Sequence, residues 1–177
     1  MSHYGLSRFI NDMDFFVEKY PEDQKALVEA GVSSLRKLMS NPDFLDPGFV
    51  HAVTHEGLEG RVYKSEEHGY YIQFFAWPPG CKSPVHNHNT WGLMGIMHNC
   101  LHVTEYDLEL EGDSFKVKNS ESFDAHAGAI AYLTSPDNEI HCVRNNSDEM
   151  SYSLHIYGAE MTETSQFDLE TGAICCE

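Results

Sequence analysis

The chain has no apolar run near the ~20 residues that a membrane-crossing helix needs. Basic residues are scarce: 11 Lys and Arg stand against 28 Asp and Glu, a formal net charge of -17. A field of that sign repels phosphate backbones and anionic lipid, which argues against nucleic acid and membrane surfaces as partners. It does not repel a metal cation or a small zwitterion. The cysteines are an odd five, Cys81, Cys100, Cys142, Cys175 and Cys176, and no pair has CxxC spacing. The opening MSHYGLSRFINDMDFF has no basic patch followed by an apolar core. Together these features predict reduced thiols in a cytoplasmic protein rather than a disulfide framework. There is also no repeat of fixed period and no low-complexity stretch.

What is present suits one globular domain of 177 residues with 41% hydrophobic content. Residues 1–45 read as a helical segment. Phe9, Ile10, Met13, Phe16 and Val17 recur at helical spacing. Pro21 opens a second stretch whose stripe is Ala26, Leu27, Ala30, Leu35 and Leu38, with Gly31 a candidate break. NPDFLDPG then halts the helical pattern with two prolines and a glycine. Residues 46–165 read as an all-β barrel. GRVYKS, GYYIQFFAW, TWGLMGIM, LHVTEYDLEL, SFKVKN, AIAYLT, HCVRN and MSYSLHIYG are short strand-like runs. Turn signals such as PPG, MHNC, EGDS, HAG and SPDN separate them. The tail, 166–177, is acidic and weakly patterned, and reads equally as a returning strand or a loose end.

Eleven histidines are many for this length, and PVHNHNTWG places His86 and His88 one residue apart. On a strand that spacing puts both rings on one face. A third histidine, His141, opens the strand-like run in SPDNEIHCVRN, close enough in a small barrel to return beside the pair. Three neutral imidazoles suit a divalent first-row metal such as Fe, Ni, Cu or Zn. The common iron pattern exchanges one histidine for a carboxylate, but Asn89, Thr90, Trp91 and Gly92 supply none. The other histidines read as ordinary. His98 sits at a hairpin tip, His102 beyond it, and His126 in a turn, while His3, His51, His55 and His68 lack partners at telling spacing.

GCKSPVHNHNTWGLMGIM resembles the first motif of the cupin superfamily, and SPDNEIHCVRN its second, with His141 as the last ligand. Gly92 stands about where many cupins carry a glutamate, a replacement typical of the thiol dioxygenases of the cysteine dioxygenase type. SYSLHIYG is similar to that family's Ser-x-His-x-Tyr stretch, here Ser153, His155 and Tyr157, and strand parity places all three on one face. The resemblance spans roughly residues 55 to 160.

It implies a cupin double-stranded β-helix, a jelly-roll barrel, with N-terminal helices added. It implies Fe(2+) held by His86, His88 and His141, with Ni or Zn able to replace it in a recombinant preparation. The implied partners are a small thiol, cysteine foremost, and O2; Tyr157, His155 and Ser153 are the implied catalytic group. Of the four arginines, Arg8 and Arg36 fall in the helices and Arg144 faces away from His141. That leaves Arg61 as the candidate carboxylate binder; a surface pair with Glu59 or Glu66 is the competing reading. Some animal members cross-link a cysteine near position 92 to the tyrosine, and Gly92 implies none here. A mercaptopropionate-type enzyme, another three-histidine cupin dioxygenase and a non-catalytic metal-binding cupin are the alternatives.

Overall fold

Residues 4–111, 114–135, 140–159, 165–169 and 174–176 are described in the computed structural model of the chain. Helix α1, Leu6–Lys19, buries Phe9 and Met13. Helix α2, Gln24–Met39, starts where the Asp23 carboxylate accepts a hydrogen bond from Ala26 N at 2.9 Å. Gly31 does not break it. A β-carbon there would lie 2.6 Å from Leu93 Cδ1, so glycine lets the helix press close to the sheet.

A third helix, α3, covers Pro47–His55 and corrects the expectation that the barrel begins at residue 46. The Asp46 carboxylate accepts from Phe49 N at 3.0 Å, and Pro47 occupies the first turn. The Asp-Pro pair that reads as a stop is a start: a capping acid followed by a residue with preset φ.

Among the described residues ten strands follow: β1 Arg61–Lys64, β2 Tyr71–Trp77, β3 Gly92–His98, β4 Cys100–Glu111, β5 Ser114–His126, β6 Ile130–Leu133, β7 His141–Arg144, β8 Ser151–Tyr157, β9 Ser165–Phe167 and β10 Ile174–Cys176. One sheet runs β1-β2-β8-β3-β6, another β5-β4-β7, and β10 pairs β9. Every pairing is antiparallel. Over these strands the fold is all-β, built of antiparallel sheets with the helices packed on the five-stranded one. The expected EGDS and SPDN turns contain residues outside those described. None of the described helices is long and apolar enough to cross a membrane.

Alternation on β8 fixes which side does what. Leu154 and Ile156 bury themselves in the cluster that includes Phe9, Met13, Leu35 and Leu38 of the helices. Ser153, His155 and Tyr157 therefore face the other way, into the barrel. A second cluster of Trp77, Ile96, Leu101, Val103, Ala125 and Val143 fills part of that interior. Over the described residues 165–169 the chain's end is a returning strand. Phe167 N donates to Val85 O at 2.9 Å, and the Phe167 ring is buried with Val85, Val117, Ile140 and Cys142.

Candidate metal centre

His86 and His88 lie on the connection between β2 and β3, not within a regular strand as the spacing suggests. Pro84 lacks an N–H, so a continuous ladder cannot run through this segment. It is clamped between two neighbours by isolated bridges instead. His86 and His141 exchange backbone hydrogen bonds, each 3.0 Å, and His86 also bridges Gln166. Asn87 N donates to Ser165 O at 3.1 Å. The alternation that a strand would impose survives, and the two rings come together.

His141 completes the group. Ring centroids are 4.7 Å apart for His86–His88, 4.9 Å for His86–His141 and 4.8 Å for His88–His141. One nitrogen from each ring lies within 4.8 Å of the others. The Nδ1 of His86 is 2.9 Å from Pro84 O; as a donor there it keeps Nε2 as a lone-pair ligand. Burial holds the His86 imidazolium below its ordinary pKa, so the ring stays neutral as coordination requires. Among the described residues the group contains no carboxylate. Three neutral nitrogens in this arrangement fit a divalent transition metal.

Beside the group runs a chain of hydrogen bonds. Trp77 Nε1 donates to Ser153 Oγ at 2.8 Å. Ser153 Oγ lies 2.8 Å from His155 Nε2, and His155 Nδ1 lies 2.6 Å from the Tyr157 hydroxyl. An indole N–H can only donate. Ser153, fully buried, accepts from it and can give its own proton to His155 Nε2. In that tautomer His155 carries its proton on Nδ1 and donates it to the Tyr157 oxygen. The phenol's own proton is left to point onward. Burial, with the neighbouring His141 and His86 rings disfavouring a further cation, lowers the His155 pKa to about 3. Burial, and then Tyr71, pushes the Tyr157 phenol up, which keeps it protonated. The Tyr157 ring stacks on His88, with centroids 4.9 Å apart and planes at 19°. Trp77 is the member that sequence reasoning missed. A lone strand tryptophan looks like core, and only the β2–β8 register brings it to Ser153.

Arg61 lies opposite Gln73, which lies opposite His155, so all three share the inner face. Its Nε donates to Gln73 Oε1 at 3.0 Å, and its guanidinium sits 4.2 Å from the centre of the Tyr71 ring. Tyr71 in turn contacts Tyr157, with centroids 5.4 Å apart. The competing ion pair to Glu59 is present as well, at 3.5 Å. Gly92 is directly against the tyrosine: a β-carbon there would be 3.2 Å from Tyr157 Cδ1.

A small cavity of about 40 Å³, open at its mouth, borders His141, His155 and Tyr157. Leu93, Val103 and Phe123 give it apolar walls, and Glu105 also lines it. Burial raises the Glu105 carboxyl pKa, with Glu121 and then Asp107 adding like charge. The remaining described histidines stay outside the centre. His102 pairs with Asp124 at 2.8 Å on the surface. His68 gathers with Glu18 and Glu67, a through-space neighbourhood with no sequence signal.

No family model matches the chain. Solved structures similar to it include an oxalate oxidase, 18% identical, with a TM-score of 0.42 over 54% of this chain and 45% of that one. The chain thus spans less than half of that protein's length. Another is an uncharacterized conserved protein with a double-stranded β-helix domain from Klebsiella pneumoniae, 11% identical, TM-score 0.47, covering 62% of this chain and 77% of that one. A cupin superfamily protein from Desulfitobacterium hafniense is 14% identical, with a TM-score of 0.44 over 58% of this chain and 77% of that one.

Proposed function

We propose that the chain is an iron-dependent thiol dioxygenase that adds both atoms of O2 to the sulfur of a small thiol, cysteine foremost, giving the sulfinic acid. The observation that carries this reading is the meeting of two groups. Three imidazoles without a carboxylate stand beside a buried relay that ends in a protonated phenol.

Ferrous iron held by His86, His88 and His141 would supply an undiminished double charge that stabilises a thiolate, together with the redox chemistry that O2 requires. The protein's own contribution is positioning. Tyr157 offers a hydroxyl proton at the edge of the cavity, where it can hydrogen-bond substrate or oxygen. His155 and Ser153 fix the direction of that proton by occupying the phenol's oxygen from behind. Trp77 fixes Ser153 in turn. Arg61, braced by Gln73 and Tyr71, supplies a guanidinium on the same inner face for a substrate carboxylate. The apolar walls from Leu93, Val103 and Phe123 limit water around the reacting sulfur.

The test is oxygen consumption by anaerobically iron-loaded protein with cysteine, cysteamine and mercaptopropionate. The expected result is one O2 consumed per sulfinic acid formed with at least one of them. Iron-loaded protein that oxidises none of the three refutes the reading.

A further inference from the structure

The relay is anchored at Trp77, the last residue of β2. Pro78 and Pro79 follow, and neither has an N–H with which to extend the ladder. A strand end without further ladder bonds opens easily unless something else holds it. One buried side chain does. Asn145 follows β7 directly and is fully buried. Its Nδ2 donates to Trp77 O at 2.8 Å and to Glu149 O at 2.7 Å. Its Oδ1 accepts from Ser147 N at 3.0 Å and from Ser147 Oγ at 2.8 Å. Carbonyls only accept and a backbone N–H only donates, so the amide has one orientation and no donor to spare. Its backbone is held as well. Asn145 N donates to Cys81 O at 2.9 Å, and Gly80 N donates to Asn145 O at 3.0 Å.

An asparagine at a turn commonly serves that turn through its side-chain oxygen. The Oδ1 of Asn145 does so. Its Nδ2 does something further: it crosses to β2, at the residue whose indole makes the relay's first bond. That bond, Trp77 Nε1 to Ser153 Oγ, is 2.8 Å long, and hydrogen bonds weaken steeply once donor and acceptor are misaligned. We propose that Asn145 is a positioning residue of the relay: it pins the Trp77 backbone where the indole N–H meets Ser153. Its effect on turnover rests on the thiol dioxygenase reading above, whereas its hold on Trp77 belongs to the fold.

The chain has two tryptophans, Trp77 and Trp91, so a proton–nitrogen correlation spectrum of metal-free protein holds two indole signals, and Trp77→Phe assigns them. Two variants are compared with wild type. Asn145→Ser keeps a hydroxyl for the turn but is too short to reach Trp77 O; Asn145→Asp keeps the shape and the acceptor but has no donor. In both, the Trp77 signal should shift and its proton should exchange faster with water. The Trp91 signal, from the core beneath the helices, should stay in place. With iron bound, kcat should fall at least about tenfold while KM stays within about threefold, the split expected when geometry is lost and binding is kept. Ser147→Ala removes partners of Oδ1 and leaves both Nδ2 bonds, so its Trp77 signal and kcat should match wild type. An unmoved Trp77 signal in the Asn145 variants overturns the proposal whatever kcat does, and so does a moved signal with wild-type kcat. An equal shift in Ser147→Ala assigns the effect to the turn and also overturns it. Loss of the Trp91 signal together with that of Trp77 makes Asn145 a residue of the fold rather than of the relay. A moved Trp77 signal in a protein whose wild type oxidises no thiol keeps the hold on Trp77 and overturns the dioxygenase reading instead.

Discussion

The Tyr157 ring lies nearly parallel to His88, 4.9 Å between centroids, while its hydroxyl is held by His155 Nδ1 at 2.6 Å. One residue thus joins the candidate ligand group to the relay. Removing only the hydroxyl separates the two roles. Tyr157→Phe should bind iron as tightly as wild type, because the ring and its stacking remain. Its kcat should fall by about a hundredfold or more, the usual range for losing a positioned proton donor. Iron titration and oxygen uptake on the same preparation check both halves, and unchanged kcat would remove Tyr157 from the chemistry.

The far end of the relay makes a second prediction. Trp77→Phe keeps an aromatic ring but deletes the donor that sets Ser153's direction. The loss of one buried hydrogen bond should lower stability by about 1 to 2 kcal/mol, read from urea unfolding. Turnover should drop while iron affinity holds, since Trp77 acts through Ser153. A variant that loses stability but keeps kcat would show that the relay's direction is set elsewhere.

His155 makes the metal-free protein acid-sensitive in a defined window. Its pKa is about 3 in the fold against an ordinary 6.5. Between those values the unfolded chain binds a proton that the folded chain does not, so stability rises with pH across the window and is lost as pH falls through it. The slope from this one residue is about 1.4 kcal/mol per pH unit. Urea midpoints of metal-free protein between about pH 4 and 6.5 should follow it. His155→Gln should flatten the slope over the same range, and an equal slope in that variant would assign the effect to other groups.

Much of this site was legible in the chain. His86, His88 and His141 come together as their spacing and setting suggest, and Ser153, His155 and Tyr157 share a face because strand parity leaves no other arrangement. What could not be read is whatever depends on register between distant strands. Trp77 meets Ser153 only through the pairing of β2 with β8, and Glu105 meets His141 only through β4 with β7. The third helix was hidden for a different reason. Asp46-Pro47 is equally good punctuation for an end and a beginning, and composition does not choose between them.

Arg61 has partners that pull towards different roles, Gln73 and Tyr71 inside and Glu59 outside. If the inner role governs, Arg61→Ala should raise the KM for cysteine by about tenfold or more, the scale of a lost charge-assisted contact. The KM for cysteamine, which has no carboxylate, should move far less. Equal effects on both thiols, or none, would leave Arg61 as a surface cation.

The same arginine depends on the glycine before it. Gly60 lies so close to β2 that a β-carbon would sit 1.9 Å from the Phe74 carbonyl oxygen, while Phe74 N donates to Gly60 O at 2.8 Å. The obstacle is backbone, not the tip of a flexible side chain, so β1 must move away from β2 to admit even one methyl. Gly60→Ala should therefore destabilise the protein by roughly 1 to 3 kcal/mol, the usual range for overpacking, measurable as a lower Tm. Because β1 carries Arg61, the displacement should also loosen its bond to Gln73 and raise the KM for cysteine more than that for cysteamine. A Gly60→Ala protein with unchanged Tm would mean that β1 yields freely, and Arg61 would then be too poorly anchored to select a carboxylate.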